Sequence, residues 1–215
     1  MSLIRELKRM TIKDFGTLVE DVWKGLRPRT RRMVVGALQT GGAGNSTIAG
    51  AQTFSYDAHA DWELSRLLTA LDERAAEAEA KENPEHLREL RRMANACARV
   101  LEAKTESAEV FIQLVTRALL RYDYKLVDSL ADSLSKRFSA GEMCEIVRQA
   151  QHAPVRALAF EALALVPVSQ FFPLLDDPFY GNIARSALEL QALEYDSEEA
   201  RMLLDQLMTE EYFGE

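Results

Sequence analysis

The sequence predicts an all-α protein: an antiparallel helical array with an extended N-terminal arm. Three observations carry that prediction. Apolar residues make up 47% of the 215, and Ala, Leu, Glu and Arg are prominent, a composition typical of helical proteins. From Asp61 onward apolar residues recur at i, i+3, i+4 and i+7. No stretch alternates apolar and polar residues as a half-buried strand does. The expected organisation has three parts. Residues 1–32 form a basic amphipathic helical segment, residues 33–60 a low-charge arm or linker, and residues 61–215 an array of roughly seven helices.

Residues 2–26 read as one helix or two short ones. Thr11-Ile12-Lys13-Asp14 resembles a helix start, with a capping hydroxyl and an acidic residue in the first turn. Phe15, Leu18, Val19, Val22 and Trp23 then form an apolar stripe at helical spacing. The stripe either folds back onto the core or docks on another chain, which makes Phe15, Val19 and Trp23 candidate partner-binding residues. Arg27-Pro28-Arg29-Thr30-Arg31-Arg32 is a basic knot at a helix break. Its Arg27, Arg29, Arg31 and Arg32 are candidates for contact with phosphate or an acidic partner; a solvated linker is the plainer reading.

No charged side chain occurs between Arg32 and Asp57, and the segment is rich in Gly, Ala, Ser and Thr. Gly41-Gly42-Ala43-Gly44-Asn45-Ser46-Thr47 is not a phosphate-binding loop, because Asn45 stands in the lysine's place and Gln39 where the first glycine belongs. A segment this long and uncharged reads as a mobile linker or as an arm ordered by a neighbouring subunit.

The array begins at Asp61, which reads as its helix cap. Trp62, Leu64, Leu67, Leu68, Leu71 and Ala75 lead a long helix. Asn83-Pro84-Glu85 combines cap, N1 proline and first-turn acid. The helix it opens carries Leu87, Leu90, Met93, Ala94, Cys97, Val100 and Leu101, and the next carries Val110, Phe111, Leu114, Val115, Ala118 and Leu119. Short links between these three imply antiparallel packing. Leu126, Val127, Leu130, Leu134 and Phe138 mark a fourth, and Ser139-Ala140-Gly141-Glu142 is a capping box that opens a fifth. From Val155 to Val166 the run is apolar on nearly all sides, so this helix is expected at the centre of the C-terminal core, with Phe160 deeply buried. Pro154 and Pro178 each read as the first residue of a helix. A last helix follows Ser197-Glu198-Glu199 and carries Ala200, Leu203, Leu204, Leu207 and Met208.

The C-terminal part repeats itself. Leu158-Ala159-x-x-Ala162-Leu163 recurs as Ile183-Ala184-x-x-Ala187-Leu188, with a fainter copy at Leu130-Ala131-x-x-Leu134. A period of roughly 25–28 residues approaches that of helical solenoids. With Pro154-Val155-Arg156 and Leu174-Leu175-Asp176-Asp177-Pro178 before the two Ala/Leu helices, residues 124–208 resemble short HEAT-type repeats. Tyr180 and Gly181 depart from that pattern, standing near where such repeats often carry Val-Arg. The resemblance implies an α-solenoid that presents an elongated concave surface to a protein partner.

The net charge of −8 argues against a general nucleic-acid binder. That charge is unevenly spread. Basic residues outnumber acidic ones up to Arg32, whereas after Asp176 only Arg185 and Arg201 oppose the acids. Different partners for the two ends, or end-to-end self-association, would follow from such asymmetry, although solvated helix faces account for it equally. Cys97 and Cys144 lie in amphipathic helices and are expected as buried thiols, with neither zinc spacing nor a disulfide framework. There is no signal-like apolar stretch and no run long enough to cross a bilayer, so a cytoplasmic protein is expected. His59, His86 and His152 fall near helix ends, and no catalytic residue, metal set or cofactor motif emerges. Asp57-Ala58-His59-Ala60-Asp61 offers ligands at an unconvincing spacing. The leading expectation is a non-enzymatic interaction scaffold, adaptor or assembly subunit. Its alternatives are a helical enzyme or small-ligand protein with an inter-helix pocket, and phosphate or nucleic-acid contact through Arg27–Arg32.

Overall fold

A computed structural model of the chain describes residues 12–40, 56–80 and 83–213. Among these residues the fold is all-α, with eleven α-helices and no strand. The chain divides into two compact units between Thr105 and Glu106, inside the stretch expected to be one domain from residue 61.

Unit 1 opens with a 3-10 turn, Ile12–Phe15, and continues through α1 (Thr17–Gly25), α2 (Pro28–Thr40), α3 (Ala58–Ala80) and α4 (Pro84–Lys104). Gly16 stands between the turn and α1 at φ 95°, a left-handed conformation that favours glycine. Arg74 Nε on α3 donates to the Phe15 carbonyl at 3.1 Å beside it. The long pair α3 and α4 packs together, with α1 against α3 and α2 against both. Leu64, Leu67, Leu68 and Leu71 of α3 are fully buried, as their spacing predicts, and so are Leu90, Ala94, Cys97 and Leu101 of α4. Trp62 is the exception in the expected stripe. It is exposed, with the His59 ring 5.6 Å from its own and Arg66 over its face. Asn83 caps α4 as expected, its Oδ1 accepting from the His86 N–H at 3.2 Å.

The expected arm must be corrected at its start. Residues 33–40 complete α2, with Val34 and Leu38 buried on one face together with Thr30. Arg99 of α4 donates to the Ala37 carbonyl at 2.8 Å and so satisfies the open end of that helix. Residues 41–55 lie outside the described residues. At the far end, α3 begins three residues earlier than expected and its cap is Asp57, not Asp61: Asp57 Oδ1 accepts from the Ala60 N–H at 2.9 Å. Asp61 is buried and takes the Tyr56 hydroxyl instead.

Unit 2 comprises α5 (Ala108–Leu120), α6 (Tyr124–Arg137), α7 (Ala140–Gln149), α8 (Ala153–Leu163), a 3-10 turn (Val168–Gln170), α9 (Phe172–Leu175), α10 (Gly181–Glu194) and α11 (Glu198–Phe213). Besides the hairpin neighbours α5/α6, α7/α8 and α10/α11, next-but-one helices pack, α5 on α7 and α6 on α8, and α7 also meets α10. Ser139 caps α7 through the Glu142 N–H at 3.2 Å. The Glu142 carboxylate accepts the Ala108 N–H at 3.1 Å and thereby caps α5 from a distance. Phe111 meets Phe138 edge-on at 5.3 Å, among buried Leu114, Leu134, Met143 and Ile146. Both cysteines are buried as expected, and burial, with the Asp177 charge nearby, pushes the Cys144 thiol up to about 12.

Two expectations for the C-terminal core need correction. The α8 helix is not buried all round: Val155, Ala159, Ala162 and Leu163 are buried, Phe160 is half-buried and Ala157 is exposed. The fully buried ring is Phe171, from the turn before α9. Nor does Pro178 open a helix. It sits in a turn whose N–H groups at Phe179 and Tyr180 go to Asp177 Oδ1 at 2.8 and 3.0 Å, and α10 starts at Gly181. Small residues are buried in both helices, Ala159 and Ala162 in α8 and Ala184 and Ala187 in α10. Gln191 of α10 donates to the Val166 carbonyl at 2.6 Å, closing the turn that follows α8.

Candidate functional site

The basic knot folds around two carboxylates. Arg27 donates its backbone N–H to Glu63 Oε1 at 2.8 Å and its Nε to Glu63 Oε2 at 3.1 Å. The same guanidinium grips Asp57 through Nη1 at 3.1 Å and Nη2 at 2.8 Å. Arg29 also pairs with Asp57, and the Thr30 hydroxyl donates to Glu63. Because Arg27 immediately precedes α2, the two carboxylates sit where a helix N-terminus favours negative charge. The Arg27 guanidinium holds the Asp57 carboxyl well below its ordinary value and is itself raised by that bond. Glu63 is 2% exposed on its side chain. Burial pushes its carboxyl up, but Thr30 and the two Arg27 donors outweigh burial and leave it lowered.

Most of the residues proposed from sequence for partner contact are therefore engaged within unit 1. Phe15 and Val19 are buried there, so in this fold they serve its core and are not open to a partner. Trp23 is half-buried. Arg31 donates to the Lys24 carbonyl at 2.6 Å, closing the end of α1, and Arg32 is exposed. The structure brings Arg27 and Arg29 together on Asp57 and gives both a carboxylate partner. The sequence names Asp57 only within a weak ligand set, not as cap or arginine partner, and does not single out Glu63; the acid immediately before the α3 start was the available signal.

One feature in unit 2 that its own packing does not explain is the α5–α6 turn. Leu120, Tyr122 and Tyr124 are 73%, 78% and 61% exposed. The turn closes α5 with the Tyr122 N–H to the Leu119 carbonyl at 3.1 Å and the Asp123 N–H to the Ala118 carbonyl at 3.0 Å, the Schellman pattern. That pattern places its C′ residue in the left-handed region, where glycine is usual. Here the residue is Tyr122, at φ 57°. Asp123 then caps α6 through the Leu126 N–H at 3.2 Å.

No family model, curated protein or solved structure matches this chain. Among the described residues no group of three or more His, Cys, Asp or Glu could hold a metal ion. The Asp57–Asp61 acids are engaged by arginines and a tyrosine, as above. An open depression of about 360 Å³ in unit 2 is lined by Glu109, Ile112, Thr116, Gln149, Gln151 and His152. Among the described residues no helix is long and apolar enough to cross a membrane.

One further charged cluster in unit 2 is structural. Glu145 accepts Arg148 in a bidentate pair at 2.6 and 2.7 Å, and the Tyr180 hydroxyl at 2.9 Å. Arg148 chiefly, with Tyr180 and Gln149 against the opposing effect of burial, holds the Glu145 carboxyl at about 2, below its ordinary 4.5. A carboxyl lowered by folding stabilises the fold above its unfolded value and loses that contribution as pH falls toward the folded one. Unit 2 is thus expected to lose this stabilisation between about pH 4.5 and about pH 2. Urea midpoints from circular dichroism at pH 5 and pH 2.5 should fall further for the wild type than for Glu145→Gln.

Proposed function

We propose that the chain is a non-enzymatic protein-interaction module, a scaffold or assembly subunit, whose contact surface includes the Leu120–Tyr124 turn. One observation carries the reading: an exposed tyrosine occupies a left-handed backbone position that glycine would fill at lower cost. Backbone strain kept at the surface, with a second tyrosine and a leucine beside it, points to a role other than stability. Tyrosine is also among the residue types that dominate binding energy at protein interfaces. Packing between next-but-one helices in unit 2 supports a HEAT-like solenoid reading of the array, a fold suited to partner binding. Phosphate contact through Arg27–Arg32 draws less support, because Arg27 and Arg29 already face Asp57.

Two results test this. Tyr122→Gly is expected to raise stability by about 1 kcal/mol, seen as a higher urea midpoint, since it relieves the left-handed strain. The double variant Tyr122→Gly/Tyr124→Ser, with an unchanged circular dichroism spectrum, should lose a stoichiometric partner that the tagged wild-type chain retains from its own cell lysate. A partner held equally well by both would sink the assignment to this turn.

A further inference from the structure

The last helix of unit 2 is only half covered. In α11 Ala200 is buried against the unit, but Leu203, Leu204 and Leu207 are half-buried, and Met202 and Met208 are 65% and 54% exposed. By contrast, α5 buries Val110, Phe111, Leu114 and Val115. The surroundings of α11 are acidic. Glu194, Glu198, Glu199 and Asp205 are exposed, and the local arginine, Arg201, is spent on Asp196 and the Ala192 carbonyl. An apolar stripe edged with carboxylates fits a basic amphipathic helix.

This chain carries such a sequence. Residues 1–11, which lie outside the described residues, read Met-Ser-Leu-Ile-Arg-Glu-Leu-Lys-Arg-Met-Thr. At helical spacing Leu3, Ile4, Leu7 and Met10 share one face, and Arg5, Lys8 and Arg9 share the other. We propose that residues 1–11 of one copy dock on α11 of a second copy, so that the chain associates head to tail. The contact is heterologous, since the two surfaces differ. It therefore grows into open chains or a ring and does not stop at a symmetric pair. This site is separate from the Leu120–Tyr124 turn, and either proposal can fail without the other.

Sedimentation equilibrium on the full chain provides the test. The weight-average mass is expected to rise above 24.2 kDa with concentration. Excess free peptide of residues 1–11 should lower it, and the same peptide with Leu7→Ser should not. Full-length Leu7→Ser spoils one surface, and full-length Glu199→Lys/Asp205→Lys spoils the other. Each alone should remain monomeric. Mixed in equal amounts they should form a complex of twice the monomer mass and no larger, because each variant still offers the surface that the other lacks. A wild-type chain that stays monomeric to millimolar concentration overturns the proposal. So does association that the peptide leaves unchanged, or a pair of variants that fails to complement.

Discussion

Glu63→Ala is expected to destabilise unit 1 by about 3 kcal/mol, and Glu63→Gln by about half as much. The side chain is almost wholly enclosed and accepts three donors: the Arg27 N–H, the Arg27 Nε and the Thr30 hydroxyl. Alanine leaves the Thr30 hydroxyl, itself fully buried, and the Arg27 N–H without their acceptor. Glutamine keeps one acceptor oxygen but removes the charge at the start of α2. The estimate sits at the low end for a broken buried ion pair, because Arg27 retains Asp57 and is 32% exposed. Both tryptophans of the chain, Trp23 and Trp62, lie in unit 1, so tryptophan emission during urea unfolding reads that unit directly. An unchanged midpoint for Glu63→Ala would show that the network is decoration on a helix pair stable without it.

That network also marks where reading the sequence runs out. Periodicity found the helices whose apolar residues lie close together, as with Leu64, Leu67, Leu68 and Leu71, and local caps such as Asn83 and Ser139 followed from neighbours three residues away. Glu63 meets Arg27 across 36 residues, and nothing local distinguishes it from any surface glutamate. The start of the expected arm failed for a different reason. Low charge and small residues after Arg32 suggested a linker, yet Thr30, Val34 and Leu38 stand four apart and form the buried stripe of α2. Composition and spacing conflict there, and spacing is the stronger signal. Phe15 and Val19 were seen as a stripe, but a stripe alone does not say whether it faces its own core or another chain. Nothing in the sequence marks the Leu120–Tyr124 turn, because exposed tyrosines look ordinary until the backbone conformation beneath them is known.

Gly181→Ala is expected to cost unit 2 about 3 kcal/mol, and Gly36→Ala to stabilise unit 1 by about 0.5–1 kcal/mol, although both exchange one hydrogen for a methyl in a helix. At Gly181, the first residue of α10, an added Cβ would lie 2.6 Å from the Leu175 carbonyl oxygen and 3.6 Å from that of Leu174. Those are backbone atoms of α9, so no side chain can swing aside. Relief requires α9 to shift from α10, or loss of the 2.8 Å bond from the Gly181 N–H to the Asp177 carbonyl. At Gly36 an added Cβ meets nothing within 4 Å, so alanine gains helix propensity without a steric cost. Circular dichroism for the first variant and tryptophan emission for the second should give shifts of opposite sign. No loss of stability for Gly181→Ala would mean that the α9–α10 approach is looser than its geometry implies, and a loss for Gly36→Ala would mean that propensity does not decide that position.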